Sequence, residues 1–294
     1  MKLQGMFAAA ATPFDHTGAV YRAKVQHNFD KLRRTSLTGF VLCGPAGEGP
    51  LLDAHEKIEV LRLAVPVVPA GRTLILDVSS EGVQCAADLA LRAADAGAHA
   101  VISLAPYAYR NLSGACEARL QYFRALADRS SLPVMVHNAP RITGVDLEPE
   151  EVAQLAEHPN IQALVEESSG SGRIAQLRAA LPKEFGVLSG TESQVWDALK
   201  AGANGAVLPF ASAAPYSTIA IWEAFRTREE EAGIDWQARI AHPSLLVTEF
   251  YGVPGLKHAM DLNGYYGGPP RLPFTAPSMA AQEEIADAFR DLKG

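Results

Sequence analysis

The chain has 294 residues, 48% of them hydrophobic and 20% charged, the balance of a folded globular domain and not of a disordered chain. Its formal net charge is −7 and no run of Lys or Arg exceeds two residues, which removes the electrostatic footprint of a nucleic-acid binder or a polybasic membrane patch. No segment offers about 20 unbroken apolar residues, so no transmembrane helix is expected.

Short apolar runs alternate with longer amphipathic patterns along the whole chain. A strand is expected at 6–11, where Pro13 and the β-like run favour a first strand over a signal peptide, and a helix at 21–34. A strand at 39–43 leads to a helix at 53–65, where Asp53 followed by Glu56 reads as an N-terminal capping pair. Strand 73–77 precedes helix 83–96, stopped by Gly97; strand 100–104 precedes helix 113–128. Strand 133–138 precedes helix 148–157, and strand 161–166 precedes helix 172–180. Strand 185–189 precedes helix 192–201, stopped by Gly202; strand 205–208 is followed by mostly helical sequence. Three helix-to-strand joins echo one another: TSLTGFVL at 35–42, DAGAHAVI at 95–102 and KAGANGAVL at 200–208. Eight strand-then-helix units predict an α/β fold, a (β/α)8 TIM barrel with an appended C-terminal helical segment. The barrel is expected over 1–226 and the helical extension over 227–294, packed on the barrel. Cys43, Cys85 and Cys116 are odd in number and unclustered, as reduced thiols of a cytoplasmic protein would be.

In such barrels the chemistry sits at the C-terminal ends of the strands. Those ends carry Thr12 and Pro13, the loop GPAGEG at 44–49, Asp77 with Ser79, Ser80 and Glu81 beyond, and APYAY at 105–109. They continue with His137 and Asn138, then Glu166, Glu167 and Ser168, then SGTE at 189–192. A carboxylate at a strand end can simply cap the next helix, which is the plain reading of Glu81 and Glu192. The Gly-rich loop lacks the Lys of a phosphate-binding loop. His137 and Glu166 end neighbouring strands, and their side chains are expected to meet as an acid–base pair, the carboxylate raising the imidazole pKa. The alternative is a hydrogen bond that satisfies a buried histidine.

These segments resemble the dihydrodipicolinate synthase and N-acetylneuraminate lyase family of aldolase barrels. The likeness is carried by GMFAAAATPFDHTGAVY at 5–21, GPAGEGPLLDAHEK at 44–57, Ala105-Pro106-Tyr107, HNAPRITGVDL at 137–147 and NIQALVEESSG at 160–170. YGVPGLKHAMDLNG at 251–264 and RLPF at 271–274 extend it late into the chain. The resemblance implies a lyase acting on a small keto-acid or polyhydroxy carboxylate, with no cofactor, and a homotetramer or homodimer. The family's imine-forming Lys position falls on Glu166, or on Val165 if the gap is placed differently, and its strand-five Tyr on His137. Two Thr of its carboxylate-binding loop fall on Pro45 and Ala46. The expectation is therefore a lyase that works without a lysine imine. Catalytic candidates are His137, Glu166 and Tyr107; substrate-binding candidates are Gly44, Gly47, Glu48, Asn138, Arg141 and Ser168. No metal is expected. Two further readings stay open: a non-catalytic small-molecule-binding or structural relative, and a metal-assisted aldolase with His137, Glu166 and Glu167 as ligands.

Overall fold

The computed structural model describes residues 3–168 and 171–292. Its strands are β1 (Gly5–Ala9), β2 (Gly39–Leu42), β3 (Thr73–Asp77), β4 (Ala100–Leu104), β5 (Val134–Asn138), β6 (Ile161–Glu166), β7 (Gly186–Ser189) and β8 (Gly205–Leu208). Neighbours pair in parallel in that order, and β8 pairs back onto β1, so the sheet closes into the expected barrel. The helices around it are α1 (Arg22–Leu32), α2 (Ala54–Ala64), α3 (Val83–Asp95), α4 (Ala115–Arg129), the single turn α5 (Pro140–Thr143), α6 (Pro149–Ala156), α7 (Ser171–Ala180), α8 (Val195–Lys200) and α9 (Pro215–Thr227). Then come α10 (Glu230–Leu245), a π-helical turn at Leu246–Phe250, α11 (Gly252–Leu262) and α12 (Met279–Ala288). No helix among the described residues is long and apolar enough to cross a membrane.

Local chemistry explains the element ends. Asp53 Oδ1 accepts from the amides of His55 and Glu56 at 2.7 and 2.8 Å, and the Glu56 carboxylate accepts from the Asp53 amide, completing the expected capping box of α2. The helix expected at 192–201 is divided: Glu192–Gln194 forms a 3-10 turn before α8 begins. Gly205 is required by barrel closure, since a Cβ there would lie 1.9 Å from the Gly5 carbonyl oxygen.

Because helices cover the outside of the sheet, both faces of each strand are apolar. Alternate residues separate into two cores. Phe7, Val41, Ile75, Ile102, Met135, Val165, Leu188 and Val207 fill the barrel interior. Leu42, Leu74, Leu76, Val136, Leu164 and Val187 pack outward under the helices. This alternation decides which side chains at the strand ends reach the barrel mouth.

The C-terminal segment is laced to the loop after β2. The buried Lys257 ammonium of α11 forms an ion pair with the buried Glu48 carboxylate and donates to the Pro269 carbonyl at 3.1 Å. The Arg271 amide donates to Glu48 Oε2 at 2.7 Å, and the Arg271 guanidinium binds Glu56 Oε1 at 2.6 Å. Both cations lie over the Phe14 ring, at 4.4 and 4.3 Å from its centre.

Candidate active site

His137 follows Met135 on β5 and, by the same alternation, faces the barrel interior. Its register partner is Val165 of β6. Glu167 stands one residue beyond β6, two after the inward Val165, so its side chain turns back over the mouth. Gly190 leaves it room: a Cβ there would sit 2.4 Å from Glu167 Cγ. His137 Nε2 and Glu167 Oε1 are 2.6 Å apart, a short hydrogen bond between imidazole and carboxyl group. Burial disfavours the charged imidazole, but the carboxylates of Glu167, Asp77 and Glu166 outweigh it, and the His137 pKa is raised. Glu167 engages Nε2; Nδ1 is buried and meets no partner.

Asp77 ends β3 two residues after the inward Ile75. Its Oδ1 accepts from the Ser79 amide at 2.8 Å, with Lys57 Nζ 4.0 Å away; its Oδ2 is buried without a partner. Lys57 lies on α2, yet its amine reaches the end of β3 and donates to the Asp77 carbonyl at 3.3 Å. Glu192, after β7, accepts from the Phe210 amide at 3.2 Å. Burial, helped by the charges of Glu167 and Glu249, pushes its carboxyl up to about 8, so it holds its proton at neutral pH.

The pairing expected between His137 and Glu166 does not form. Glu166 follows the outward Leu164 and is register partner to Asn138. Its carboxylate accepts from Asn138 Nδ2 at 2.8 Å, from the Ser168 amide at 2.7 Å and from Arg173 Nε at 3.4 Å. Burial raises its pKa against these donors. The metal-ligand set His137, Glu166 and Glu167 is divided between the two faces of β6. Among the described residues no group of three or more His, Cys, Asp or Glu is placed to hold a metal.

The other expected site residues also make contacts within the scaffold. Asn138 also donates to Asp146 Oδ1 at 2.8 Å and accepts from the Leu147 amide at 3.1 Å, so its amide is committed to the loop after β5. Glu48 is taken up by Lys257 and Arg271, and the Ser168 amide by Glu166. Arg141 forms an ion pair with Glu249 while remaining exposed. Tyr107 is 40% exposed, and its amide is held by the Glu81 carboxylate at 3.1 Å. Gly44 and Gly47 shape the turn after β2: the Gly44 carbonyl accepts from the Gly47 amide at 2.9 Å, and a Cβ on Gly47 would lie 2.8 Å from the Ala10 carbonyl oxygen. The sequence pattern does not single out Asp77 and Glu192 as site members and offers Glu167 only as a ligand. The available signal was Asp77 as the one acid in the strand TLILD, and Glu167 as the residue two beyond an apolar inward position.

A closed (β/α)8 barrel with an imidazole–carboxylate pair and further acids at its strand ends has the architecture of a barrel enzyme. More particularly, the chain belongs to the dihydrodipicolinate synthetase family, whose pattern matches residues 2–292. It is 32% identical over 287 residues to a 4-hydroxy-tetrahydrodipicolinate synthase of an Exiguobacterium species, covering 97% of this chain and 96% of that one. It is 33% identical over 294 residues to the 4-hydroxy-tetrahydrodipicolinate synthase of Methanothrix thermoacetophila, with the same coverages. The crystal structure of a dihydrodipicolinate synthase from Bacillus anthracis superposes with a TM-score of 0.93 at 25% identity, over 99% of each chain.

Proposed function

We propose that this lyase-family barrel carries out its proton chemistry on a small keto-acid or polyhydroxy carboxylate with the His137–Glu167 pair, without a lysine imine. The observation that carries the reading is the 2.6 Å contact between His137 Nε2 and Glu167 Oε1 inside the mouth. A carboxylate fixes the imidazole and stabilises its protonated form, so the pair can take a proton from carbon and return it. Val165, an alkyl side chain, occupies the interior position level with His137. Lys57 and Lys257, whose amines reach this end of the barrel, are already engaged, Lys57 at the Asp77 carbonyl and Lys257 at Glu48. Pro45 and Ala46 offer no side-chain hydroxyl to a substrate carboxylate, which argues against the synthase reaction named for the relatives.

Exchange of carbon-bound hydrogen tests the reading. In heavy water the protein should exchange the C3 hydrogens of pyruvate or hydroxypyruvate, followed by proton NMR. His137→Ala and Glu167→Gln, with melting curves that show a folded barrel, should slow exchange about 10²–10⁴-fold. Exchange indifferent to His137 would overturn the proposal. Borohydride reduction with pyruvate should leave every lysine peptide at its original mass; a mass gain on Lys57 would restore imine chemistry.

A further inference from the structure

Among the described residues, Asp77 Oδ2 and His137 Nδ1 are buried polar atoms at the mouth that the pairings above leave over. Each belongs to a residue two positions beyond an inward side chain, Ile75 and Met135 respectively, so both are aimed into the same interior. Asp77 is 2% exposed and His137 7%, so bulk water does not serve them. The Asp77 charge is felt at the imidazole, which places the two groups in one electrostatic neighbourhood.

Both atoms are free to meet a bound molecule. The Ser79 amide and Lys57 occupy the Oδ1 side of Asp77, so Oδ2 is the acceptor that remains. Glu167 occupies Nε2, so Nδ1 is the ring nitrogen that remains to meet a bound molecule. The loop after β2 leaves space beside the acceptor: a Cβ on Gly44 would stand 3.5 Å from Asp77 Oδ2.

We propose that Asp77 and His137 form a two-point recognition site for a hydroxy-carbonyl compound, whose hydroxyl donates to Asp77 Oδ2 while the hydrogen-bearing carbon beside its carbonyl faces His137 Nδ1. The inference rests on reading this mouth as the substrate site, and it makes Asp77 the residue that selects among keto acids. A keto acid without a hydroxyl leaves the Asp77 oxygen buried and unpaired; one that carries the hydroxyl satisfies it. Sites built to bond a substrate hydroxyl discriminate strongly against the analogue that lacks it.

Pyruvate and hydroxypyruvate differ by one hydroxyl and supply the test. By titration calorimetry, hydroxypyruvate should bind the wild-type protein at least about tenfold more tightly than pyruvate. In Asp77→Asn the Ser79 amide retains the side-chain oxygen, so the amide nitrogen replaces Oδ2 and an acceptor becomes a donor. The affinity ratio should then fall to about one. Gly44→Ala keeps the Asp77 charge but sets a methyl group in contact with Oδ2, in the space a substrate hydroxyl would use, and should weaken hydroxypyruvate while sparing pyruvate; it decides the matter if Asp77→Asn fails to fold. Equal affinities in the wild type, no binding of either probe at millimolar concentration, or a ratio unchanged in folded Asp77→Asn and Gly44→Ala would each overturn the inference. Equal affinities together with His137-dependent hydrogen exchange would remove this inference alone. A hydroxyl preference abolished by Asp77→Asn, with exchange indifferent to His137, would remove only the acid–base reading.

Discussion

Among single side chains, Glu192 ties the site most directly to pH. Its carboxyl is buried beside the Phe210 amide, and burial with the Glu167 and Glu249 charges lifts its pKa to about 8. An unfolded chain gives up that proton in the ordinary glutamate range, while the folded one keeps it. Between those two points the unfolded state binds fewer protons, so rising pH favours unfolding. His137 works in the same direction: its pKa is raised on folding, so its contribution is complete at low pH and is lost as pH climbs through the folded value. Stability should therefore decline from about pH 5 to about pH 8, and Glu192→Gln should flatten much of that decline. Urea midpoints across the range measure it. An unaltered slope in Glu192→Gln would place the proton elsewhere.

At the scale of strands, closure of the barrel depends on Gly5 and Gly205, whose backbones meet where β1 joins β8. Gly205→Ala forces a methyl group into a carbonyl oxygen that cannot move without parting the two strands. The expected loss is about 3 kcal/mol or more, at the upper end of overpacking costs, read from denaturant unfolding. A loss below about 1 kcal/mol would mean that the seam is more compliant than this contact implies. Strand and helix order was legible because its signals are local: apolar runs, the Asp53–Glu56 cap, and the stops at Gly97 and Gly202. The direction in which each strand-end side chain points was not. With both faces of the sheet covered, IQALVE looks the same from inside and outside, and a slip of one residue exchanges the faces. An irregularity between Val134 and Met135 shifts the register of β5 on β6 as well. Glu166 therefore reads as the inward acid, while the residue that meets His137 lies one place past the strand.

For the molecule as a whole, the Lys257–Glu48 ion pair decides how the last helices hold the first barrel loops. Burial holds the Lys257 amine below its ordinary pKa even with Glu48 against it, so the pair exists at a desolvation cost. Lys257→Met strands a buried carboxylate and should destabilise the protein by about 3–5 kcal/mol. Adding Glu48→Gln should recover part of that loss, since an uncharged pair leaves no buried ion. A double variant no more stable than Lys257→Met would show that the loop needs the charge itself.

The same clasp sets a schedule for synthesis. Glu48 leaves the ribosome 223 residues ahead of the Arg271 amide that binds it, an interval of roughly 10–45 s at about 5–20 residues per second. Throughout that interval the loop after β2 carries an acid whose burial is not yet compensated. The nascent chain therefore has every reason to keep its second strand–helix unit open to solvent, and to the cell's chaperones, until translation is nearly finished.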